Sequence, residues 1–562
     1  MSGIDWAVLV VTLAFIVLYG MWKSRNTKTM QGYLLADKKL PWYHVGLSVM
    51  ATQASAITFL SAPGQGYDDG LRFVQFYFGL PLAMIVLCTT FVPIFHKLNV
   101  YTAYEYLEKR FDERTRSLTA FLFLLQRGLS TGITIYAPAI ILSTILDMDL
   151  SLTILINGIL VISYTVYGGT KAVSHTQLLQ MAIIFGGIIT AAVLLVKMLP
   201  AGIDLPDALH LAGRMDRLNA IDTEFDLKNR YNIWSGIIGG FFLQLSYFGT
   251  DQSQVGRYLT GSSVAQSRLG LIMNGLIKIP MQFFILLTGV LVLIFYQFNE
   301  APLFFNKVEL QQLVKNGKGE EVRALEARHN INFEAKKIQA QALTEAINNG
   351  DEANEDKFEK GLLLLRAEEN QIREEVKELI KKTNFGSDSN DSNFIFLHFV
   401  TTQMPVGVVG LLMAVIFLAA MGSTASGLNS LASTTIVDFY KRLRSGKDEH
   451  TNYVRVTRWC TVGWGLFCIV VALYAGRLGN LIEAVNILGS LFYGTILGIF
   501  LVAFYMKWVN GRAVFYAALI AELFVVFAWI AKLSAFLWLN VIGCLLVIIF
   551  SALLSPLLKK AV

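Results

Sequence analysis

Charged residues are scarce in this sequence. Asp, Glu, Lys and Arg make up 16% of its 562 residues, whereas soluble proteins average about 25%. Hydrophobic residues make up 54%, and the mean hydropathy is +0.52. This composition excludes a soluble globular fold and predicts a protein that crosses the lipid bilayer many times. The net charge of +6 is small for this length, so nucleic acid is not an expected partner.

Cysteine is rare, and motifs of common catalytic sites are missing. The four cysteines, Cys88, Cys460, Cys468 and Cys544, lie inside apolar segments, where we expect small core residues rather than disulfides or metal ligands. No GxxxxGK[ST] or HExxH pattern occurs, and no His, Cys or Asp cluster has the spacing of metal ligands. We therefore expect neither an enzyme nor an ATP-driven pump.

Long apolar runs fill most of the chain. A helix needs roughly 17–25 apolar residues to cross the hydrocarbon layer, and about thirteen such runs occur. They lie near 5–22, 44–62, 74–96, 118–146, 151–167, 176–199, 233–250, 271–297, 402–437, 458–475, 481–506, 513–531 and 534–556. The first run has no basic segment before it and no cleavage site after it, which predicts a retained helix rather than a signal peptide.

Basic residues concentrate in alternate short loops. Lys and Arg cluster at 23–39, 97–116 and 441–447, whereas the loops between them are mostly acidic, as at 68–69. Because short cytoplasmic loops carry the excess of Lys and Arg, the N-terminus is predicted outside and the C-terminus inside. We expect a multi-pass protein of the cell membrane, specifically a bacterial inner membrane.

Two apolar runs contain polar interruptions. The stretch 45–70 has a small, hydroxyl-rich centre (ATQASAIT, 51–58), and the run 233–250 leads into QLSYFGTDQ (244–252). Polar groups at this depth are costly unless the helix breaks inside the protein and offers oxygens to a cation or solute. The interrupted helices open two successive five-helix blocks, which predicts an inverted repeat with a site at its interface.

Hydropathy and charge divide the chain into segments. They are an extra helix and loop (1–42), the first repeat (43–199), a loop (200–232), the start of the second repeat (233–299), a charged insertion (300–393), the rest of the second repeat (394–506) and two final helices (507–562). The insertion carries apolar residues at three- and four-residue spacing, which predicts two or three amphipathic helices, as in a helical hairpin. By the topology it lies outside, either as a solvated insertion, as a docking surface for a protein partner or as a cap over the entrance.

Hydroxyl groups line one face of the run 402–437. Ser423, Ser426 and Ser430 recur at three- and four-residue spacing, so they share a helix face. Hydroxyls and freed carbonyls suit sodium, a hard cation. The alternative is that small residues serve only close helix packing.

Two cations fall inside apolar runs. Arg127 lies about 15 Å from the start of its helix, and a cation at this depth marks a functional site by default. It is suited to bind a carboxylate through two parallel hydrogen bonds; the alternatives are a structural ion pair or a snorkelling side chain. Lys278, about two turns into its helix, is expected to snorkel.

Four stretches resemble the sodium:solute symporter family, which includes sodium-coupled sugar, sialic acid, proline, iodide, vitamin and monocarboxylate carriers. The stretch 102–111 (TAYEYLEKRF) resembles its YEYLE-x-RF segment, 167–173 (YGGTKAV) its YGGxxAV turn, and 251–259 (DQSQVGRYL) is similar to NQxxVQRYL. The residues LNS at 428–430, with DFY at 438–440, resemble its LNS…DxY pattern. Together the stretches span roughly 45–440 apart from the insertion. The resemblance implies an all-α, LeuT-like fold of two inverted five-helix repeats and alternating access driven by inward sodium.

The resemblance also implies a sodium site. Its ligands would be carbonyls of the first interrupted helix, a carbonyl of the opposing helix and two adjacent hydroxyl positions; here these are Ala51, Ala54, Ala419, Gly422 and Ser423. Gly422 supplies no hydroxyl, and Thr424 or Ser426 is the candidate to compensate. A second sodium site in some members needs an Asp in a W-T-D-x-x-Q pattern, where this chain has HTQLLQ at 175–180. With Gln177 at the acidic position, we predict one sodium ion per substrate.

Substrate preference follows from local patterns. Sugar carriers of the family have Glu-Gln before the phenylalanine of the interrupted helix, whereas Ile57-Thr58 precede Phe59 here. The surroundings at 92–95 (VPIF) and 136–138 (YAP) resemble the iodide, vitamin, monocarboxylate and sialic acid carriers. With Arg127, this favours a small organic anion. The candidate pocket residues are Gln53, Ser55, Thr58, Phe73, Tyr77, Arg127, Gln244 and Tyr247.

Other functions stay open at this point. A sodium-coupled sugar symporter differs only in the solute. A proton-coupled carrier, a passive uniporter or a sensor protein on the same fold would differ in having no dependence on sodium.

Overall fold

The chain folds into α-helices. The computed structural model describes residues 1–24, 36–98, 100–146, 148–200, 203–383, 390–443 and 453–558. Within these ranges no strand occurs, and a single β-bridge joins Leu40 to Gly261. The four cysteines are unpaired.

The α-helices are numbered here in chain order. The first are α1 (Gly3–Ser24), α2 (Trp42–Gln53), α3 (Ala56–Asp69), α4 (Leu80–Val86), α5 (Val92–Leu98), α6 (Glu105–Arg110), α7 (Glu113–Leu146), α8 (Leu150–Lys197), α9 (Leu205–Arg214), α10 (Gly240–Thr250) and α11 (Gln252–Tyr258). The others are α12 (Val264–Phe298), α13 (Lys307–Leu313), α14 (Gly319–Asn349), α15 (Glu352–Thr383), α16 (Ser392–Gln403), α17 (Val408–Thr434), α18 (Tyr453–Ala472), α19 (Leu481–Tyr505), α20 (Gly511–Ile530) and α21 (Phe536–Leu557). Short 3₁₀, π or α turns occupy Ala36–Lys38, Gly70–Tyr77, Leu87–Phe91, Ser235–Gly239, Val314–Lys318, Thr435–Tyr440, Lys441–Leu443 and Ala475–Leu478.

Many of these helices can cross a membrane. Within the described part of the chain, 10 helical spans are long and apolar enough, and Leu150–Val166 is a shorter apolar helix. Of the two interrupted helices, the segments Trp42–Gln53, Gly240–Thr250 and Gln252–Tyr258 are too short to qualify, whereas Ala56–Asp69 is part of the qualifying span Ala56–Leu98. The predicted count of about thirteen, and the predicted orientation, therefore stay predictions. The loop residues 25–35 and 444–452, which carry part of the orientation signal, lie outside the described residues.

The first interrupted helix breaks where the sequence predicts. Ala54 (φ −78°, ψ 80°) and Ser55 (φ −84°, ψ 175°) leave the helical conformation between α2 and α3. In a regular helix, the N–H groups of Ser55 and Thr58 would bind the carbonyls of Ala51 and Ala54. Instead they donate to Gln53 O and Ser55 O, both at 3.0 Å. The Ala51 and Ala54 carbonyls thereby lose their regular helical donors.

The second interruption lies at Asp251, inside the polar stretch 244–252. Asp251 has φ −76° and ψ 117°, so the chain is extended between α10 and α11. Its carboxylate accepts a hydrogen bond from Ser253 N–H at 2.8 Å, which caps the start of α11. The break and its cap therefore come from the same residue.

The runs predicted at 151–167 and 176–199 both lie within the range Leu150–Lys197 of α8. However, Tyr164 Oη and Thr176 Oγ1 are hydrogen-bonded at 2.8 Å although they are 12 residues apart. In a straight helix they would be about 18 Å apart. The chain therefore reverses between them, as two separate membrane helices require.

Glycines bring the second half of the first interrupted helix against its neighbours. A Cβ atom at Gly66 would overlap the backbone of Leu286 in α12, and one at Gly289 would overlap that of Pro63. A Cβ atom at Gly64 would overlap the carbonyl of Ser392 at the start of α16. Helix α3 therefore packs backbone to backbone on α12 and α16, as small residues allow in membranes.

Two helices of the charged insertion form a hairpin. Helices α14 and α15 are joined at Gly350, whose φ of +66° favours glycine. Lys336 Nζ lies 2.8 Å from Glu369 Oε1, with side chains 1% and 6% exposed. Burial raises the pKa of Glu369, but Lys336, Arg366 and Arg373 outweigh it and lower this pKa to about 2.

Two buried arginines of the hairpin form an ion pair and a hydrogen bond with the end of α3. Arg373 pairs with Asp391 Oδ1 at 2.8 Å and with Asp68 Oδ1 at 3.3 Å. Arg366 Nη2 donates to the carbonyl of Tyr67 at 3.1 Å. The hairpin is therefore in direct contact with the first interrupted helix, whose other end reaches the break at Ala54.

Candidate functional site

A cavity of about 80 Å³ lies between the two interrupted helices, α7 and α19. A buried water needs about 10–15 Å³, so this space holds several waters, and a larger solute requires it to widen. Its walls come from both helix breaks and from helices of both predicted repeats. The lining residues are Gln53, Ser55, Ile57, Thr58, Phe76, Tyr77, Arg127, Leu243, Gln244, Tyr247, Ile482, Val485, Asn486 and Tyr493.

All of the predicted pocket residues except Phe73 line this cavity. Phe73 stacks on Phe76 with ring centroids 5.5 Å apart and meets Tyr231 edge-on at 5.2 Å. Residues three apart eclipse each other in a 3₁₀ helix, so Phe73 lies behind Phe76. Phe76 occupies the wall position that the sequence assigned to Phe73.

Helix α19 contributes wall residues that sequence reasoning missed. Ile482, Val485, Asn486 and Tyr493 line the cavity from this helix. The helix is mostly apolar, and Asn486 is a local signal that could have pointed to the site.

Amide side chains at the wall lack partners. Gln53 Oε1 and both amide atoms of Gln244 are buried without a hydrogen bond. Buried polar atoms are paired in most proteins. These two residues therefore offer two acceptor oxygens and one NH2 donor group to a bound polar solute.

Arg127 belongs to a polar cluster at the second helix break. Its Nη2 donates to Ser253 Oγ at 2.5 Å, and its Nη1 lies 3.6 Å from Asp251 Oδ2. The guanidinium carbon lies 5.9 Å from the centroid of the Tyr247 ring, and Nε has no hydrogen-bond partner. The structural ion pair considered as an alternative is present, and Arg127 also lines the cavity. The two interpretations are therefore compatible.

Lys278 does not snorkel, contrary to the expectation. Its side chain is fully buried in α12, and Nζ lacks a hydrogen-bond partner among the described residues. Asn274 and Gln282, one turn to either side, are also buried with both amide atoms unpaired. Counting residues from the helix end failed because α12 packs on α2 and α3, which closes the route to the surface. Lys278 Nζ lies 5.7 Å from the ring centroid of Tyr77, a cavity residue.

The predicted sodium ligands on α17 lie in its buried interior. Ser423 Oγ donates to Ala419 O at 2.9 Å. Thr424 Oγ1 contacts Thr134 Oγ1 of α7 at 3.1 Å, so Thr424 faces away from the first interrupted helix. Ser426 Oγ lies 3.2 Å from Thr52 Oγ1, so of the two compensating candidates only Ser426 meets that helix.

Gln177 of α8 connects these elements. Its Nε2 lies 3.2 Å from Thr52 Oγ1, 3.1 Å from Ser426 Oγ and 3.4 Å from Gly422 O. Its Oε1 accepts from Ser48 Oγ at 2.6 Å. An amide N–H group, rather than a carboxylate, thus lies next to these three oxygens.

The family model for sodium:solute symporters matches residues 33–315 and 378–521. The chain belongs to the sodium:solute symporter family. Residues 316–377, most of the helical hairpin, fall outside the match. This symporter is therefore a secondary transporter rather than an enzyme, and sodium is the coupling ion, as predicted.

Relatives of this symporter differ in how much of it they cover. The sodium/sialic acid symporter SiaT of Proteus mirabilis is 24% identical over 569 residues, 99% of this chain and 96% of that protein. The human sodium/iodide cotransporter is 31% identical over 276 residues, but the match covers 48% of this chain and only 42% of that relative. A solved, substrate-bound outward-open structure of a Na⁺-coupled sialic acid symporter superposes with a TM-score of 0.76 at 22% identity, over 99% of this chain and 98% of that chain. This match confirms the LeuT-like fold.

One string in this symporter formally matches a hydrolase motif. Residues 128–132 read GLSTG, as in the GxSxG nucleophile elbow. That motif works at a sharp turn between a strand and a helix, whereas these residues lie inside α7. Ser130 Oγ accepts from Gln126 Nε2 at 2.9 Å, so it is part of the helix packing.

Proposed function

We propose that this symporter imports a small organic anion together with one sodium ion, by alternating access around the cavity between its interrupted helices. The observation that carries the proposal is the charge around that cavity. Arg127 at the wall is compensated by Asp251, whereas Lys278 next to Tyr77 has no partner among the described residues. A buried, unpaired lysine keeps its proton readily only when an anion lies nearby, so Lys278 and Arg127 both favour an anionic solute.

An uncompensated cation inside a membrane protein favours an anionic ligand. Burying an unpaired ammonium is expensive, and a solute carboxylate near the cavity would offset part of that cost. Arg127 adds directional recognition, since its unpaired Nε belongs to a guanidinium at the cavity wall. Relatives named for sialic acid, iodide and monocarboxylates are carriers of anions, which supports the same solute class.

We place the sodium ion between the first interrupted helix and α17. The carbonyls of Ala51 and Ala54 are released by the break, and Ala419, Gly422 and Ser423 are buried in α17. Sodium prefers such oxygen ligands, and unwound backbone at a helix break supplies them in transporters. The amide of Gln177 supports a single ion, because it directs a donor rather than a carboxylate to Gly422 O.

We propose that the hairpin is an intramolecular cap rather than a docking surface for another protein. Its buried arginines contact α3, as described above. A second connection joins Arg214 of α9 to Glu355 at 2.5 Å and to Glu359 at 3.2 Å. The faces that a partner would need are therefore already used in part by this chain.

Uptake into proteoliposomes tests the proposal. The probes are labelled lactate, nicotinate, N-acetylneuraminate and glucose, each with an inward sodium gradient or with potassium replacing sodium. Accumulation of one of the anions only with the sodium gradient is the expected result. Accumulation of glucose alone would establish the sugar alternative, and uptake that persists without sodium would refute sodium coupling.

A further inference from the structure

We propose that Asp251 sets the charge selectivity of the cavity, because its carboxylate holds Arg127 and Tyr493 from behind the cavity wall. The inference rests on the proposed function, since it assigns a role within the same solute site. Asp251 is a positioning residue here: it does not line the cavity, whereas Arg127 and Tyr493 do.

Both oxygens of the Asp251 carboxylate are engaged by neighbouring groups. Asp251 is 1% exposed. Its Oδ1 accepts from Ser253 N–H at 2.8 Å, and its Oδ2 accepts from Tyr493 Oη at 2.8 Å and lies 3.6 Å from Arg127 Nη1. One side chain therefore ties together α7, α19 and the second helix break.

The carboxylate acts on a bound anion in two opposing ways. It orients the Arg127 guanidinium, which a solute carboxylate needs for paired hydrogen bonds. It also repels that carboxylate, because it contributes a unit negative charge roughly 7 Å away through a medium of low dielectric, an effect on the order of tenfold or more in affinity. A neutral solute benefits from the oriented Arg127 guanidinium and is not repelled by the Asp251 charge. Asp251 therefore makes the cavity less selective for anions than Arg127 alone would be.

Asp251 is also a departure from the family pattern. The stretch 251–259 resembles NQxxVQRYL, in which the first residue is Asn. The amide of Asn accepts the Ser253 N–H bond in the same way but carries no charge. Asp251→Asn therefore keeps the bond from Ser253 N–H and removes the charge, although its NH2 group cannot accept from Tyr493 or Arg127 as Oδ2 does.

The test compares each carboxylate with its own neutral amide. Binding of lactate and lactamide, and of nicotinate and nicotinamide, is measured by thermal shift of the purified symporter at saturating sodium. Asp251→Asn also removes an acceptor for Arg127 and Tyr493, which should weaken carboxylate and amide alike, so we expect the ratio of carboxylate to amide affinity to rise about tenfold. Asp251→Glu, which keeps the charge, should keep the carboxylate-to-amide ratio of the wild type.

Two further variants separate charge from structure. Ser253→Ala removes the other partner of Arg127 without a change in charge, so it should weaken carboxylate and amide alike. Tyr493→Phe removes a donor that stabilises the Asp251 carboxylate, so it should shift the ratio towards the amide, opposite to Asp251→Asn. This opposite shift tests the inference even where Asp251→Asn does not fold.

The outcomes separate this inference from the proposed function. An unchanged ratio in Asp251→Asn, in a protein whose wild type binds a carboxylate with sodium, overturns the role of Asp251 and leaves the anion proposal standing. A wild type that binds the amides but none of the carboxylates overturns both.

Discussion

Replacing Ser423 by alanine tests the sodium site most directly. Ser423 Oγ is bonded to Ala419 O at 2.9 Å and to Ala420 O at 3.2 Å within α17. Alanine is the better helix former, so the substitution should leave the helix intact. The site already lacks one hydroxyl because position 422 is glycine, so the loss of the Ser423 hydroxyl should weaken sodium binding strongly.

The size of the effect follows from the charge on the ion. An interaction between a neutral oxygen and a charged group is worth about 1.5–3 kcal/mol, which corresponds to a sodium Kd about 10–150-fold higher. At a sodium concentration of about 100 times the wild-type Kd, binding stabilises the folded protein by about 2.7 kcal/mol. With a Kd about 30-fold higher, the same concentration contributes about 0.9 kcal/mol. Most of the stabilisation by sodium is then lost.

The assay is a sodium titration of thermal stability at constant ionic strength, with potassium replacing sodium. Ser433→Ala is the matched control, because Ser433 Oγ bonds Ser430 O of the same helix at 2.9 Å and lies outside the proposed site. Its titration should follow the wild type. A Ser423→Ala protein with wild-type sodium dependence would show that the ion binds elsewhere.

Three other predictions follow from the same structure. Gln177→Asp replaces the amide that donates to Gly422 O with a carboxylate, and it should add a second sodium ion per transported anion. Uptake of a monovalent anion, electroneutral with one sodium ion, should then become electrogenic. Uptake by the variant that is insensitive to membrane potential would contradict this prediction. Thr58→Ala should raise KM by about 2–12-fold, the value of one hydrogen bond, in uptake assays where Ser61→Ala, buried one turn away and outside the cavity, has no effect. Glu369 has a pKa lowered to about 2, so its contribution of about 3 kcal/mol to hairpin stability is present above about pH 4.5 and is lost as the pH falls towards 2. Protection factors of residues 319–383, corrected for the pH dependence of intrinsic amide exchange, should therefore fall from pH 6 to pH 3 in the wild type but not in Glu369→Gln. Equal wild-type protection factors at both pH values would refute the role of the pair.

The helix breaks could be predicted because their cause is local. A membrane helix has to be apolar, so hydroxyl and amide groups at 51–58 and 244–252 stand out against that requirement. The insertion was predictable for the same reason, since its spacing of apolar residues differs from that of a membrane span. Features that depend on neighbouring residues in one helix are therefore visible in the sequence.

The features that were missed depend on contacts between distant segments. Arg127 and Ser253 are 126 residues apart, and nothing near Arg127 indicates that its partners come from the second helix break. Lys278 was misplaced because its depth was counted along its own helix, whereas its burial comes from α2 and α3. The wall residues of α19, such as Tyr493, look like ordinary residues of an apolar helix.

The glycine contacts of α3 restrict how this protein can move. Because the backbone of α3 touches those of α12 and α16 at Gly64, Gly66 and Gly289, a shift of one residue along either interface would drive side chains into main-chain atoms. Sliding between these helices is therefore blocked, and α3, α12 and α16 move as one rigid unit. The bending needed for alternating access then falls on the joint at Ala54–Ser55, next to the proposed ion ligands. The sodium ion and the hinge would thus involve the same few residues, so that sodium binding would stiffen the hinge about which the rigid unit of α3, α12 and α16 rotates.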